Sequence, residues 1–109
     1  MPAVAFLLVP GAGGDANYWS ELVPLLEAAG HEAIAVDIAE DDPALGLPEY
    51  ARIVADAAAG RTGLVLVAQS MGGFTAAMVD LDLRALVFVN AMIPVPGETP
   101  GEWLSLIHI

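Results

Sequence analysis

The stretch Leu64-Val65-Leu66-Val67-Ala68-Gln69-Ser70-Met71-Gly72-Gly73 constrains this chain more than any other. Leu64 to Ala68 is an unbroken apolar, partly β-branched run, the pattern of a short strand buried on both faces. An apolar segment of helical composition, Gly73 to Val79, follows almost at once. Ser70 therefore stands on a strand-to-helix turn, with small Ala68 two residues before it and Gly72 two after. In so tight a turn, larger side chains at those two places would strike the neighbouring backbone. The serine hydroxyl is lifted above the sheet, and the next amide, Met71, faces the same space. These are the requirements of a nucleophile elbow. The same letters also suit an ordinary strand, turn and helix that carries a serine, and the rest of the chain has to separate the two.

The rest alternates strand and helix. Apolar runs predict strands at Ala3–Val9, Glu32–Asp37, Leu64–Ala68 and Ala85–Val89. Helices are expected at Tyr18–Ala29, at Pro48–Ala59 and directly after Ser70. Leu22, Leu25, Leu26 and Ala29 recur at helical spacing, Gly30 suits a helix stop, Pro48 suits a first turn and Gly60 closes the second helix. Uniformly apolar strands separated by helices imply an α/β fold with a parallel sheet covered on both faces. The acidic loop Glu40–Pro43 suggests no chemistry.

Pro10-Gly11-Ala12-Gly13-Gly14 follows the first strand and can be read in two ways. As an oxyanion loop, its glycines let the backbone approach a substrate carbonyl and turn amides toward it. As Gly11-Ala12-Gly13-Gly14-Asp15-Ala16 it also fits the dinucleotide fingerprint of an NAD(P)-binding oxidoreductase, with Asp37 placed as the ribose-binding acid. Against the second reading, a helix starting near Gly13 would hold Pro24 in its interior, at a cost of about 3 kcal/mol. Bulky Asn17-Tyr18-Trp19 would also fall where that helix must lie close to the sheet. In the first reading the helix starts later and Asp37 caps the loop.

Taken together, these segments resemble the N-terminal part of the α/β-hydrolase family, in its methylesterase and hydroxynitrile-lyase-like branch. The likeness runs from Leu7-Leu8-Val9-Pro10-Gly11-Ala12-Gly13-Gly14 through Trp19 and Leu22–His31, to Ala68–Gly73 and Phe88-Val89-Asn90-Ala91-Met92-Ile93-Pro94. It departs from the commonest form at Ala68, Gln69 and Pro10, where Gly, His and His are usual. The resemblance implies strands side by side in the order second, first, third, fourth, which opens a crevice between the loops holding Gly11 and Ser70. It further implies an esterase-like serine hydrolase acting on a small-molecule acyl substrate without a cofactor or metal. Ser70 would be the nucleophile, and the amides of Met71 and Ala12 the oxyanion hole. Gly11, Gly13, Gln69 and Gly72 would shape the loop at the substrate. A lyase or a non-catalytic relative shares the same elbow. The family's acid and base would lie on later strands. Asn90 occupies a place where some relatives put the acid, but an amide cannot carry that charge.

Fourteen acidic against three basic residues give a formal charge of −11 over 109 residues, which disfavours nucleic acid and anionic membranes as partners. The absence of cysteine excludes disulfides, thiolate metal sites and a cysteine nucleophile. No apolar run approaches the roughly 18 residues of a membrane span, and Ala3–Val9, without a basic region before it and running straight into Pro10-Gly11, reads as a strand rather than a signal peptide, so a cytoplasmic protein is expected. His31 is expected at the surface, roughly 20 Å from the crevice at 3.3 Å per strand residue. The chain is expected to start at the family's first strand and to stop before the acid and base. Residues 1–103 would then be the N-terminal portion of one domain. Leu104-Ser105-Leu106-Ile107-His108-Ile109 breaks character, reads like a translated sequencing adapter, and is expected to be non-native.

Overall fold

The computed structural model describes residues 3–38, 42–97 and 99, so the 104–109 tail, including His108, and Trp103 lie outside the described residues. Four strands, β1 (Ala5–Val9), β2 (Glu32–Ala35), β3 (Leu64–Gln69) and β4 (Leu83–Val89), alternate with helices α1 (Leu22–Ala28), α2 (Leu47–Ala58) and α3 (Gly72–Met78). The strands form one sheet in the order β2-β1-β3-β4, and every pairing is parallel. The expected strand order is therefore the observed one.

Side-chain alternation divides the core into two layers. Leu7 and Val9 of β1 and Leu64, Leu66 and Ala68 of β3 face Tyr50, Val54 and Ala58 of α2 and Ala76 of α3. Leu8, Val65 and Val67 face the other way, toward Trp19 and the partly buried Leu22, Val23 and Leu26. Because successive strand residues point to opposite faces, both alternating sets in β1 and β3 must be apolar, which explains their unbroken runs. β4 is different. Among the described residues it has a partner on only one side, and Leu86, Val87 and Val89 stay 38–41% exposed.

The first helical segment differs from expectation in two ways. Instead of one helix over Tyr18–Ala29, a 3₁₀ turn at Ala16–Trp19, capped by the Asp15 side chain, precedes α1. Pro24 thereby becomes the third residue of α1, where its missing N–H is one that no helical carbonyl could have accepted. The packing face is Leu22, Val23 and Leu26, while Leu25 is 67% exposed and Ala29 is also outside. A two-turn helix crossing the sheet touches it with little more than one turn, so the longer stripe is not used. The stop at Gly30 is as read: its φ is +90°, its N–H donates to Glu27, and His31 N–H reaches back to Leu26, a Schellman closure. At the end of α2 the left-handed step begins one residue earlier than Gly60, at Ala59 (φ +50°).

His31 is not a simple surface residue. It is half-buried, its Nδ1 accepts from the Val4 N–H at 3.1 Å, and its ring meets Phe6 edge-on at 5.4 Å. It braces the entry to β1, at the end of the sheet remote from Ser70. Ala35 and Val67 share a level through Leu8. His31 is four residues before Ala35 and Ser70 three residues beyond Val67, which separates them by about 23 Å along the strands.

Candidate active site

β3 ends at Gln69, and α3 begins at Gly72, leaving Ser70 and Met71 to make the whole reversal. Ser70 does so at φ +52°, a left-handed conformation that costs a non-glycine residue about 1–3 kcal/mol unless its surroundings impose it. Two hydrogen bonds meet at its carbonyl oxygen, from Gly73 N–H at 3.1 Å and from Met92 N–H at 2.9 Å. The flanking residues are small for the reason their spacing suggests. Ala68 is fully buried, and a Cβ on Gly72 would stand 2.6 Å from the carbonyl oxygen of Pro10.

The glycine loop lies against this turn because β1 and β3 end in register, Val9 beside Ala68. A Cβ on Gly11 would come within 2.5 Å of Gln69 Oε1, which can swing aside, and 3.0 Å of Ser70 Cβ, so a larger residue there would crowd the two loops. The loop is tied on its far side to the end of β2. Gly14 N–H donates to the Gly11 carbonyl, Ile38 N–H to the Gly14 carbonyl at 2.9 Å, and Ala16 N–H to Asp37 Oδ1 at 2.6 Å. Asp37 thus caps the loop, as expected. The helix after the loop starts at Leu22 rather than beside Gly13, which does not favour the dinucleotide reading.

Between the loop and Gln69 lies a depression of about 350 Å³, with Ala12, Asp15, Asn17 and Tyr18 on its walls. Ala12 and Gly13 are exposed, whereas Gln69, Ser70 and Met71 are half-buried. An apolar groove of about 460 Å³ runs on the other side of α3, between Leu47, Phe74, Met78 and Pro94–Gly97. Met92 is buried and lines neither. Ser70, Gln69, Gly11, Ala12 and Gly72 are therefore gathered at the carboxyl ends of β1 and β3. Among the described residues no histidine or carboxylate accompanies Ser70 as a hydrogen-bond partner, and no three His, Asp or Glu side chains cluster as a metal site requires. Asn90, whose position after the fourth strand suggests only a stand-in for an acid, also takes a left-handed conformation, at φ +47°, which its place in the chain does not reveal. The one signal was its type, since Asn is among the few non-glycine residues enriched there.

Comparisons with known proteins agree with this geometry. The family model described as the alpha/beta hydrolase family matches residues 6–108. A probable esterase, PIR7A, of rice (Oryza sativa subsp. indica) is 37% identical, with 92% of this chain aligned to 43% of that protein. An alpha-hydroxynitrile lyase of Arabidopsis thaliana is 31% identical over 92% of this chain and 44% of its own length. Among solved structures, polyneuridine aldehyde esterase superposes with a TM-score of 0.77 at 25% identity, covering 98% of this chain and 48% of the other. The chain thus spans less than half the length of these relatives. With the sheet order, the turn at Ser70 and the family model in agreement, the chain belongs to the α/β-hydrolase family.

Proposed function

We propose that the protein of which this chain forms a part is a serine hydrolase acting on small-molecule esters, with Ser70 as its nucleophile. The observation that carries this reading is the left-handed Ser70 between β3 and α3, pressed against the glycine loop. Held there, the hydroxyl can attack an acyl carbonyl at the crevice. The backbone N–H groups of Met71 and Ala12 would receive the charge that develops on the carbonyl oxygen. Gly11 and Gly72 allow the approach, Gly13 lets the loop turn, and Gln69 fills the space beside Gly11. A base must take the Ser70 proton and an acid must orient that base. The family resemblance puts both on later strands, so the 109-residue chain alone should show no turnover. Among the described residues no helix is long and apolar enough to cross a membrane. A second reading, a lyase using the same serine, draws on the hydroxynitrile lyase relative; product analysis separates the two.

The test is to resequence the source DNA across the codons for Glu102–Ile109 and express the uninterrupted reading frame. Hydrolysis of p-nitrophenyl acetate is then measured for it and for Ser70→Ala. We expect Ser70→Ala to lower kcat by at least about 10³-fold. Turnover unaffected by that substitution would refute the assignment.

A further inference from the structure

Ser70 is held in its left-handed conformation partly from outside its own turn. β3 and β4 run in register to Gln69 beside Val89, and the next residue on each strand, Ser70 and Asn90, leaves the ladder at positive φ, +52° and +47°. Two neighbouring strands thus reverse at the same level. After Ser70 the chain enters α3. After Asn90 it folds back, so that Met92 N–H meets the Ser70 carbonyl oxygen at 2.9 Å. Met92 is buried, and its backbone lies so close to α3 that a Cβ on Gly73 would collide with the Met92 carbonyl oxygen. The side chain of Asn90 is exposed and makes no hydrogen bond within the described residues. What the position demands is therefore the backbone conformation, which Asn adopts more readily than other non-glycine residues.

We propose that Asn90 is a positioning residue for Ser70: its left-handed turn delivers the Met92 N–H to the Ser70 carbonyl and so fixes the orientation of the serine. This rests on the assignment of Ser70 as nucleophile. The carbonyl of Ser70 and the amide of Met71 belong to one planar peptide unit. Rotation of that unit, once the Met92 bond is lost, turns the Met71 N–H away from the crevice as well as moving the hydroxyl. Neither Ser70 nor Met71 lines the depression beside Gln69. A weakened turn at Asn90 should therefore lower kcat and leave KM almost unchanged.

The complete reading frame supplies the test, through Asn90→Gly, Asn90→Ala and Asn90→Val. Glycine accepts the left-handed region freely, alanine poorly, and β-branched valine least of all. We expect kcat within about 2-fold of the parent for Asn90→Gly. It should fall for Asn90→Ala, and by about 10-fold or more for Asn90→Val, with KM changed by less than about 2-fold throughout. Amide hydrogen exchange gives a readout independent of turnover. The Met92 N–H should exchange faster in the order Gly, Ala, Val, while Leu66 N–H in mid-β3 keeps its protection. Loss of protection at Leu66 in Asn90→Val would mark general unfolding, and the comparison of Gly with Ala then decides. Equal kcat and equal Met92 exchange in those two variants would overturn the proposal. If Ser70→Ala leaves turnover intact, it is the nucleophile assignment that fails; the exchange series still reports on the Asn90 turn.

Discussion

Substituting Gly72 by alanine should damage catalysis far beyond its effect on stability. The added Cβ would lie 2.6 Å from the carbonyl oxygen of Pro10 and 3.2 Å from that of Val9. Ordinary contact begins near 3.4 Å, so the start of α3 must recede from β1 by about 0.8 Å. Both acceptors are backbone atoms at the buried end of β1 and the residue after it, and neither can swing aside as a side chain would. Overpacking of this kind costs about 1–3 kcal/mol. Alanine returns part of that through helix propensity, at most about 1 kcal/mol and less in a first turn. The net loss should be about 1–2 kcal/mol. Ser70 is two residues away, and the same displacement separates Met71 from the glycine loop. A misplacement near 1 Å can reduce turnover by about 100-fold.

Gly30→Ala is the control. Gly30 has φ +90° with no atom within 4 Å of the new Cβ, so its cost is conformational strain of about 1–3 kcal/mol with nothing displaced. Urea titration and p-nitrophenyl acetate kinetics on the complete protein would compare the two. Similar stability losses should accompany a kcat/KM reduced about 10- to 100-fold for Gly72→Ala and unchanged for Gly30→Ala. Equal kcat/KM in both variants would refute the view that the β1–α3 separation sets the geometry at Ser70.

Three further outcomes follow from the same structure. His31→Phe keeps an aromatic edge against Phe6 but leaves the Val4 N–H without its acceptor, so the complete protein should lose about 1 kcal/mol in a urea titration. Glu32 receives hydrogen bonds of 2.7 Å from both Arg61 Nε and Nη2, which hold its carboxyl below the usual range, with the charge of Arg61 adding to them. Its depressed folded-state pKa means that the pair stabilises above the ordinary Glu pKa and fades as pH falls through the lowered value. Thermal melts of Glu32→Gln should therefore lie slightly below the parent at pH 7 and coincide with it at the acidic end; a gap that widens on acidification contradicts this. The 109-residue chain by itself should self-associate through β4, whose outer edge, unpaired among the described residues, carries Leu86 and Val87. Leu86→Lys with Val87→Lys should shift its gel-filtration profile toward monomer, whereas a parent chain that already runs as a cooperatively melting monomer rules the idea out.

How far the sequence could be read depended on the kind of interaction involved. β1 and β3 were legible because their burial on both faces requires apolar residues at every step. The order of the four strands came through the family resemblance rather than through periodicity, since pairing partners leave no local mark. The turn at Ser70 was legible in outline because its demand for small neighbours falls on residues two positions away in the same chain. The face of α1 was misread: the spacing of Leu22, Leu25 and Leu26 is helical, but how much of a short helix touches a sheet depends on where it crosses. His31 was misjudged for a similar reason. Its partner is a single N–H at Val4, 27 residues earlier, which becomes available only once β1 and β2 have paired. The position of Asn90 was noticed only as that of a possible acid; its turn was not legible because it is made by a backbone angle and felt two residues on, at Met92.

The bond from Met92 to Ser70 also bears on the order in which a ribosome can build this molecule. β1 emerges first, and β2 can pair with it once residue 35 is out, but β1 completes its other edge only when β3 follows some thirty residues later. Even then Ser70 has only the first turn of α3 to hold it. The second donor to its carbonyl arrives when residue 92 clears the exit tunnel, after β4 has been laid beside β3. Until that moment the strained conformation has little to oppose its relaxation, and the nascent chain carries a slack loop where the serine will stand. The turn at Ser70 is thus among the last parts of this four-stranded sheet to acquire its shape during synthesis.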